Sequence, residues 1–135
     1  MIDRSKLNIL IVDDENLHSM LFQQYLKLEG YSQTMIYSPG IFNFPYIEKD
    51  KDFLNLKNLD IALVDLIFTR YISEGIGGKE IVKYLKELKK DIFIIGTSGY
   101  TKSMIKREMG GYIDEIIEKP IDLSYLKNII KHHFN

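Results

Sequence analysis

The segment Ile61-Ala62-Leu63-Val64-Asp65 is a run of apolar residues that ends in a carboxylate. Two further runs have a similar character, Leu7-Asn8-Ile9-Leu10-Ile11-Val12 and Ile92-Phe93-Ile94-Ile95. All three are short, rich in β-branched residues and without polar alternation, which is typical of strands buried on both faces of a sheet. Such strands need helices on each side of the sheet. The sequence therefore predicts an α/β fold.

Amphipathic segments lie between these strands. The i, i+3, i+4 pattern predicts a helix that stops at Gly30. Its apolar face would be formed by Leu17, Met20, Leu21, Tyr25 and Leu28. Further helices are predicted over residues 81–88, over Lys102–Met109, and over residues 126–134 with Asp122 as the N-cap.

Two weaker runs, residues 34–37 and 113–117, complete a predicted set of five strands. Strands that alternate with helices imply a parallel sheet with right-handed crossovers. The stretch 38–59 contains Pro39-Gly40, Pro45 and a run of charged residues where a helix should lie. We expect an irregular or displaced helix there.

Length and composition restrict the class of protein. The chain has 135 residues, 45% of them apolar, which predicts one domain over 1–135 without an output domain. Its 18 basic and 19 acidic residues are scattered, so nucleic acid and anionic membranes are not expected as partners. The absence of cysteine excludes disulfide scaffolds and thiol catalysis. The first apolar run is too short for a signal peptide or membrane span, and we expect a cytoplasmic protein.

Reactive side chains follow four of the five predicted strands. They are Asp13-Asp14, Asp65, Thr97-Ser98 and Lys119-Pro120. Open parallel sheets bind ligands beyond the carboxyl ends of their strands, so these side chains are expected to converge. Three carboxylates at one edge would repel one another unless a cation offset their charge. A Mg²⁺ ion is the expected solution, since it prefers oxygen ligands and often contacts phosphate.

The same residues suggest a reaction. A carboxylate can act as a nucleophile and form an acyl phosphate, which would be the role of Asp65. Lys119 would neutralise the transferred phosphoryl group and the Thr97 hydroxyl would donate to it. Taken singly, each residue also has an ordinary explanation: a helix N-cap, a β-former or a surface lysine. The three histidines, His18, His132 and His133, are interpreted as structural.

Four motifs carry a resemblance to a known family. They are Ile9-Leu10-Ile11-Val12-Asp13-Asp14-Glu15, Ala62-Leu63-Val64-Asp65-Leu66, Ile94-Ile95-Gly96-Thr97-Ser98 and Glu118-Lys119-Pro120-Ile121. In this order and spacing the chain resembles the response-regulator receiver domain of two-component signal transduction, similar to single-domain chemotaxis regulators. The resemblance implies a flavodoxin-like, three-layer α/β/α fold with a five-stranded parallel sheet in the order 2-1-3-4-5 and five helices.

The resemblance also implies roles for individual residues. Asp65 would be the phosphoacceptor, Thr97 the switch hydroxyl and Lys119 the phosphate-pairing base. Mg²⁺ would be held by Asp13, Asp14, Asp65 and the backbone carbonyl of Ile67. A cis peptide bond would precede Pro120.

A receiver of this kind is a signalling phosphoprotein rather than an enzyme, since it catalyses only its own phosphorylation and dephosphorylation. It would take its phosphoryl group from a histidine kinase or phosphotransfer protein in a phosphorelay. It would then signal to a partner protein through its fourth helix, fifth strand and fifth helix.

Several positions depart from the family pattern. Thr69 stands where a proline is usual, and the loop after Asp65 is longer, through residues 70–74. Ile116 replaces the aromatic residue that swings inward on activation. Ile67 and Gly99 occupy two positions that tune dephosphorylation, and neither can position a water, so we expect a long-lived phosphoryl group.

Three alternatives remain at this point. A pseudo-receiver would keep the fold and bind partners without phosphorylation, which Ile116 favours. A small phosphatase or phosphotransferase could use Asp65 as nucleophile, but Ile67 is not the second acid such enzymes usually need. A mononucleotide binder is disfavoured because Asp13-Asp14-Glu15 would repel a phosphate after the first strand.

Overall fold

The computed structural model describes residues 3–13, 15–37, 58–66 and 78–134, and for residues 78–80 it describes the backbone alone. Five strands and four α-helices form in these ranges. The strands are β1 (Asn8–Val12), β2 (Gln33–Tyr37), β3 (Ile61–Asp65), β4 (Phe93–Ser98) and β5 (Glu115–Glu118). The helices are α1 (Asn16–Leu28), α2 (Gly78–Leu88), α3 (Lys102–Met109) and α4 (Leu123–Phe134).

The strands form one parallel sheet in the order β2-β1-β3-β4-β5. This confirms the predicted flavodoxin-like topology. The register pairs Val12 with Val64 and Asp65 with Thr97. The carboxyl ends of β1, β3 and β4 therefore lie side by side at one edge of the sheet.

Helices cover both faces of the sheet and create two apolar cores. On one face, Leu10, Val12, Ala62, Val64 and Ile94 pack with residues of α2 and α3. On the other face, α1 and α4 pack on residues that alternate with these, among them Ile9, Ile11, Leu63 and Ile95. Every residue of β3 and β4 is buried, which confirms the burial predicted for their apolar runs, residues 61–64 and 93–95.

The buried face of α1 differs from the prediction. Ser19, Phe22 and Leu26 face the sheet. The predicted core residues Leu17, Met20, Leu21 and Leu28 are exposed instead, and Leu17 exposes 81% of its surface. The reason is that α1 carries two apolar stripes, and periodicity cannot tell which of them is buried.

The remaining predictions have mixed outcomes. Asp122 caps α4, since its Oδ1 accepts from the N–H of Ser124 at 2.9 Å. The expected helix within 38–59 falls almost entirely on residues outside the described ranges, so four of the five expected helices are seen. Within the described residues, no helix has the length and apolar character needed to cross a membrane.

Candidate functional site

The candidate site lies at the carboxyl edge of the sheet. Asp65 is the last residue of β3, and it is 4% exposed. Asp13 follows β1, Thr97 lies in β4, and Lys119 follows β5. The fold thus brings together side chains from four segments that are far apart in the sequence.

Lys119 reaches Asp65 across the end of β4. Its Nζ lies 3.1 Å from Asp65 Oδ1, which forms a hydrogen-bonded ion pair between a half-buried ammonium and a buried carboxylate. The backbone N–H of Lys119 donates to the carbonyl of Ser98 at 2.7 Å, which extends the pairing of β4 with β5. The peptide bond between Lys119 and Pro120 is cis, as expected. Lys119 is therefore fixed both through its backbone and through its side chain.

Thr97 is the register partner of Asp65 on the neighbouring strand and is 1% exposed. Its carbonyl accepts from the N–H of Leu66 at 3.0 Å, which continues the β3–β4 pairing past Asp65. The Leu66 side chain lies over Gly96, where an added Cβ would approach its Cδ1 to 2.8 Å. The backbone that carries Asp65 and Thr97 is thus closely packed.

Asp13 is a buried carboxylate with 2% exposure. Its Oδ1 accepts from the N–H of Glu15 at 2.8 Å. Burial raises the pKa of Asp13 to about 6, and the negative charge of Asp65 adds to this effect. The Glu15 hydrogen bond and the positive charges of Lys119 and His18 oppose it. The charged form of Asp13 is therefore disfavoured first by burial and, to a smaller extent, by the neighbouring charge of Asp65.

His18 also approaches the site, which the sequence interpretation missed. Its Nδ1 lies 3.8 Å from Asp13 Oδ2, and its Nε2 lies 3.3 Å from Glu15 Oε2. The sequence interpretation treats His18 as structural because it does not belong to the set of reactive residues at the strand ends. Its place in the first turn after a strand that ends in Asp13 was the signal that could have found it.

The donor set suits a hard divalent cation. Asp13 and Asp65 are buried carboxylates, and the charge of Asp65 is close enough to contribute to the raised pKa of Asp13. Carboxylate oxygens are the ligands that Mg²⁺ prefers. Asp14 and Ile67, the other predicted ligands, lie outside the described residues. Among the residues that are described, no three His, Cys, Asp or Glu residues form a metal-binding group. The structure therefore describes two of the four predicted ligands, Asp13 and Asp65.

Ile116 occupies the position of the family's mobile aromatic. It is 5% exposed and belongs to the core on the α2 and α3 face. Tyr112 is partly buried against the same core, whereas Tyr100 is exposed at the end of β4. Neither tyrosine lies within β5, which spans Glu115–Glu118.

Curated proteins with similar sequences include response regulators. The heme response regulator HssR of Staphylococcus epidermidis is 30% identical over 125 residues, which cover 93% of this chain and 50% of the relative. A cyclic di-GMP phosphodiesterase of Thermotoga maritima is 27% identical over 128 residues, which cover 93% of this chain and 30% of that protein. The chain thus spans about half or less of the length of these relatives. No protein-family model matches it.

Solved structures agree with this similarity. The response regulator TrrA of Thermotoga maritima, in complex with Mg²⁺ and BeF, aligns with a TM-score of 0.71 at 26% identity over 93% of this chain and 97% of that one. A structure of the CheX-CheY-BeF₃-Mg²⁺ complex from Borrelia burgdorferi aligns with a TM-score of 0.73 at 20% identity, covering 96% of this chain and 90% of that one. The latter likeness concerns the fold alone.

Proposed function

Since its fold and its sequence similarity identify the chain as a response-regulator receiver domain, we propose that it accepts a phosphoryl group on Asp65 from a phosphohistidine donor. The observation that carries the proposal is the ion pair between Lys119 Nζ and the buried Asp65 Oδ1. Together with Thr97 and Asp13, this pair gives two carboxylates, an ammonium group and a hydroxyl at one sheet edge, which supports a role of Asp65 as nucleophile.

The proposed reaction is a simple displacement at phosphorus. A carboxylate oxygen of Asp65 attacks the phosphoryl group, a P–O bond forms, and the P–N bond to the donor imidazole breaks with its electron pair going to nitrogen. The Lys119 ammonium lies where negative charge would accumulate, so it stabilises the transferred group electrostatically. The Thr97 hydroxyl would donate to a phosphoryl oxygen.

Mg²⁺ is the proposed cofactor of this reaction. The residues that would hold it are Asp13, Asp14, Asp65 and the backbone carbonyl of Ile67. When bound, the ion would neutralise the carboxylates and the incoming phosphoryl group. The related regulator TrrA was solved with Mg²⁺ and BeF, which supports the proposal by analogy.

A group of exposed apolar side chains on α1 supports the proposal that the phosphoryl donor is a protein. Leu17, Met20 and Leu21 lie on the first two turns of α1, which begins three residues after Asp13, and all three are exposed. Large apolar side chains grouped on one helix commonly mark an interaction surface. A histidine kinase or phosphotransfer protein that packed against this stripe would bring its phosphohistidine to the adjacent site.

The proposed output is binding to a partner protein through α3, β5 and α4, with neither nucleic acid nor membrane as a direct partner. The CheY of Borrelia burgdorferi was solved with CheX, which shows a protein partner for a domain of this fold. We further propose a cytoplasmic location. Because Gly99 has no side chain that could orient a water, we also propose that the phosphoryl group is long-lived.

A second candidate is a pseudo-receiver, a binding module that does not depend on phosphorylation. The buried Ile116 favours it, because an aliphatic side chain provides no hydrogen-bonding group for the usual aromatic switch. The two candidates differ in their response to beryllofluoride and Mg²⁺. A receiver changes its spectrum on their addition, whereas a pseudo-receiver does not.

The deciding experiment is intact mass spectrometry after incubation with acetyl phosphate and Mg²⁺. We expect the wild-type chain to gain one phosphoryl mass and Asp65→Asn to gain none. Asp91→Asn is the matched control, because Asp91 is an exposed carboxylate in the turn before β4. Equal gain by wild type and Asp65→Asn, or no gain by wild type, would overturn the proposal.

A further inference from the structure

The N-terminus of α3 is held by a residue from another strand. Thr101, at the N-cap position, makes no side-chain capping bond, and the first turn contains no acidic residue. The backbone N–H of Lys102 instead donates to Glu118 Oε1 at 2.8 Å. A carboxylate at this place satisfies a free N–H group and interacts favourably with the helix dipole. Glu118, at the end of β5, therefore performs the capping function for α3.

Lys102 links α3 to a third element. Its Nζ lies 5.7 Å from the centre of the Tyr125 ring, in a cation–π contact with α4. The first residue of α3 thus contacts β5 through its backbone and α4 through its side chain. The three elements that would form the output surface meet at this residue.

Glu118 is also adjacent to the residue that contacts the phosphoacceptor. Lys119 Nζ pairs with Asp65, while the N–H of Lys119 is bonded to Ser98. Successive residues at the end of a strand project in opposite directions, so the two neighbours reach two different places. The side chain of Lys119 reaches Asp65, and that of Glu118 reaches α3. A change at Asp65 that moves Lys119 must be accommodated by the peptide that it shares with Glu118.

We propose that Glu118 is a positioning residue that couples the phosphorylation state of Asp65 to the first turn of α3. The inference rests on the proposed function, because it assumes that Asp65 is modified. A phosphoryl group places its anionic oxygens farther from the Asp65 backbone than the carboxylate does, and Lys119 follows them. The shift reorients Glu118 and releases Lys102 N–H from its cap, so the first turn of α3 loosens. This route needs no aromatic residue at Ile116.

The absence of cysteine makes a site-specific probe on α3 straightforward. Met104 is exposed on α3, and Met104→Cys would carry a fluorinated tag for NMR. We expect beryllofluoride with Mg²⁺ to shift the tag signal in the otherwise wild-type chain. Glu118→Ala should reduce that shift about fivefold or more, while its affinity for beryllofluoride stays within about twofold of wild type.

Glu115→Ala is the matched control, because Glu115 is the first residue of the same strand and lies at the opposite end of β5 from the cap. It should retain the full shift, and Glu118→Gln, which keeps an acceptor oxygen, should retain part of it. A full shift in Glu118→Ala would overturn the inference while leaving phosphorylation of Asp65 intact. If the wild-type chain binds no beryllofluoride, the result contradicts the proposed function, on which the role of Glu118 rests.

An independent measurement needs no phosphoryl analogue. Amide hydrogen exchange at residues 102–105 of the unmodified chain should be faster in Glu118→Ala than in Glu115→Ala, because only the former removes the cap. Equal exchange in the two variants would show that Glu118 does not hold α3, and would overturn the inference by itself.

Discussion

Lys119 Nζ and Asp65 Oδ1 lie 3.1 Å apart, and the pair joins the ends of two strands that are separated by β4. Asp65 is buried, whereas Lys119 keeps part of its side chain in solvent. Removal of Lys119 should therefore cost more than removal of one partner of an exposed ion pair, because it leaves a buried carboxylate, and less than the same change in a fully buried pair.

Replacement of Lys119 by Met should impair both stability and chemistry. The lost counter-charge leaves Asp65 buried beside Asp13, so we expect a loss of about 1–2 kcal/mol in the free energy of unfolding without Mg²⁺. Phosphoryl gain from acetyl phosphate should slow about 100-fold, since one preorganised charge is removed. Urea denaturation and timed mass spectrometry measure the two effects.

Lys86→Met is the control for this variant. Lys86 pairs with Asp114 at 2.8 Å, away from the carboxyl edge of the sheet. It should lower stability without slowing phosphoryl gain. A normal rate in Lys119→Met would show that the charge of Lys119 does not assist the transfer.

Gly96→Ala should destabilise the strand that carries Thr97. The new Cβ would approach Leu66 Cδ1 to 2.8 Å in a closely packed core, so we expect a loss of about 1–3 kcal/mol in the free energy of unfolding. Gly99→Ala is the control, because its Cβ would meet nothing within 4 Å. Adding Leu66→Val should recover part of the loss in thermal or urea unfolding. Additive losses in the double variant would exclude this contact as the cause.

The raised pKa of Asp13 predicts a pH dependence of stability. The folded chain binds a proton on Asp13 with a pKa of about 6, while the unfolded chain binds it near 3.8. Between these values the folded state holds more protons, so the free energy of unfolding falls as the pH rises toward 6 and stays low above it.

Asp13→Asn should remove this dependence, because its side-chain oxygen can still accept from Glu15 N–H. We expect it to stabilise the metal-free chain at pH 7.5 by about 1–3 kcal/mol, since one pKa unit corresponds to about 1.4 kcal/mol. Urea unfolding in chelator at several pH values tests this, and unchanged slopes in the variant would contradict it. The same substitution should weaken Mg²⁺ binding.

Much of the fold was predictable because its strands are apolar along their whole length. The short apolar run from Ile61 to Val64 is typical of a strand covered on both faces, and Asp65 is the carboxylate at its carboxyl end. The carboxyl ends of parallel strands share one edge, so the candidate residues could be assigned to one place before any distance was known.

Other features depend on tertiary contacts that no local pattern contains. Glu118 caps a helix that begins 16 positions earlier, and no spacing rule encodes this contact. His18 differs from Glu118, because its place in the first turn after the strand that ends in Asp13 did indicate a position near the site. The α1 stripe was misassigned for a different reason, because Phe22 and Leu26 form a second apolar stripe that competes with the first.

Substitutions on the two apolar stripes of α1 test which stripe is buried and whether the exposed stripe contacts the phosphoryl donor. Leu17→Gln with Leu21→Gln should change the free energy of unfolding by less than about 0.5 kcal/mol per site, because both side chains are exposed. Phe22→Ala should cost about 3–5 kcal/mol, since Phe22 fills the core beneath α1.

The same double variant separates the donor surface from the chemistry. It should gain a phosphoryl group from acetyl phosphate at the wild-type rate, because Asp65 and Lys119 are untouched. Transfer from a phosphorylated histidine kinase or phosphotransfer protein should slow about 10-fold or more, because a protein donor loses apolar contact with α1. Equal slowing with both donors would mean that the substitutions disturb the site itself, and no slowing with the protein donor would exclude this stripe as its docking surface.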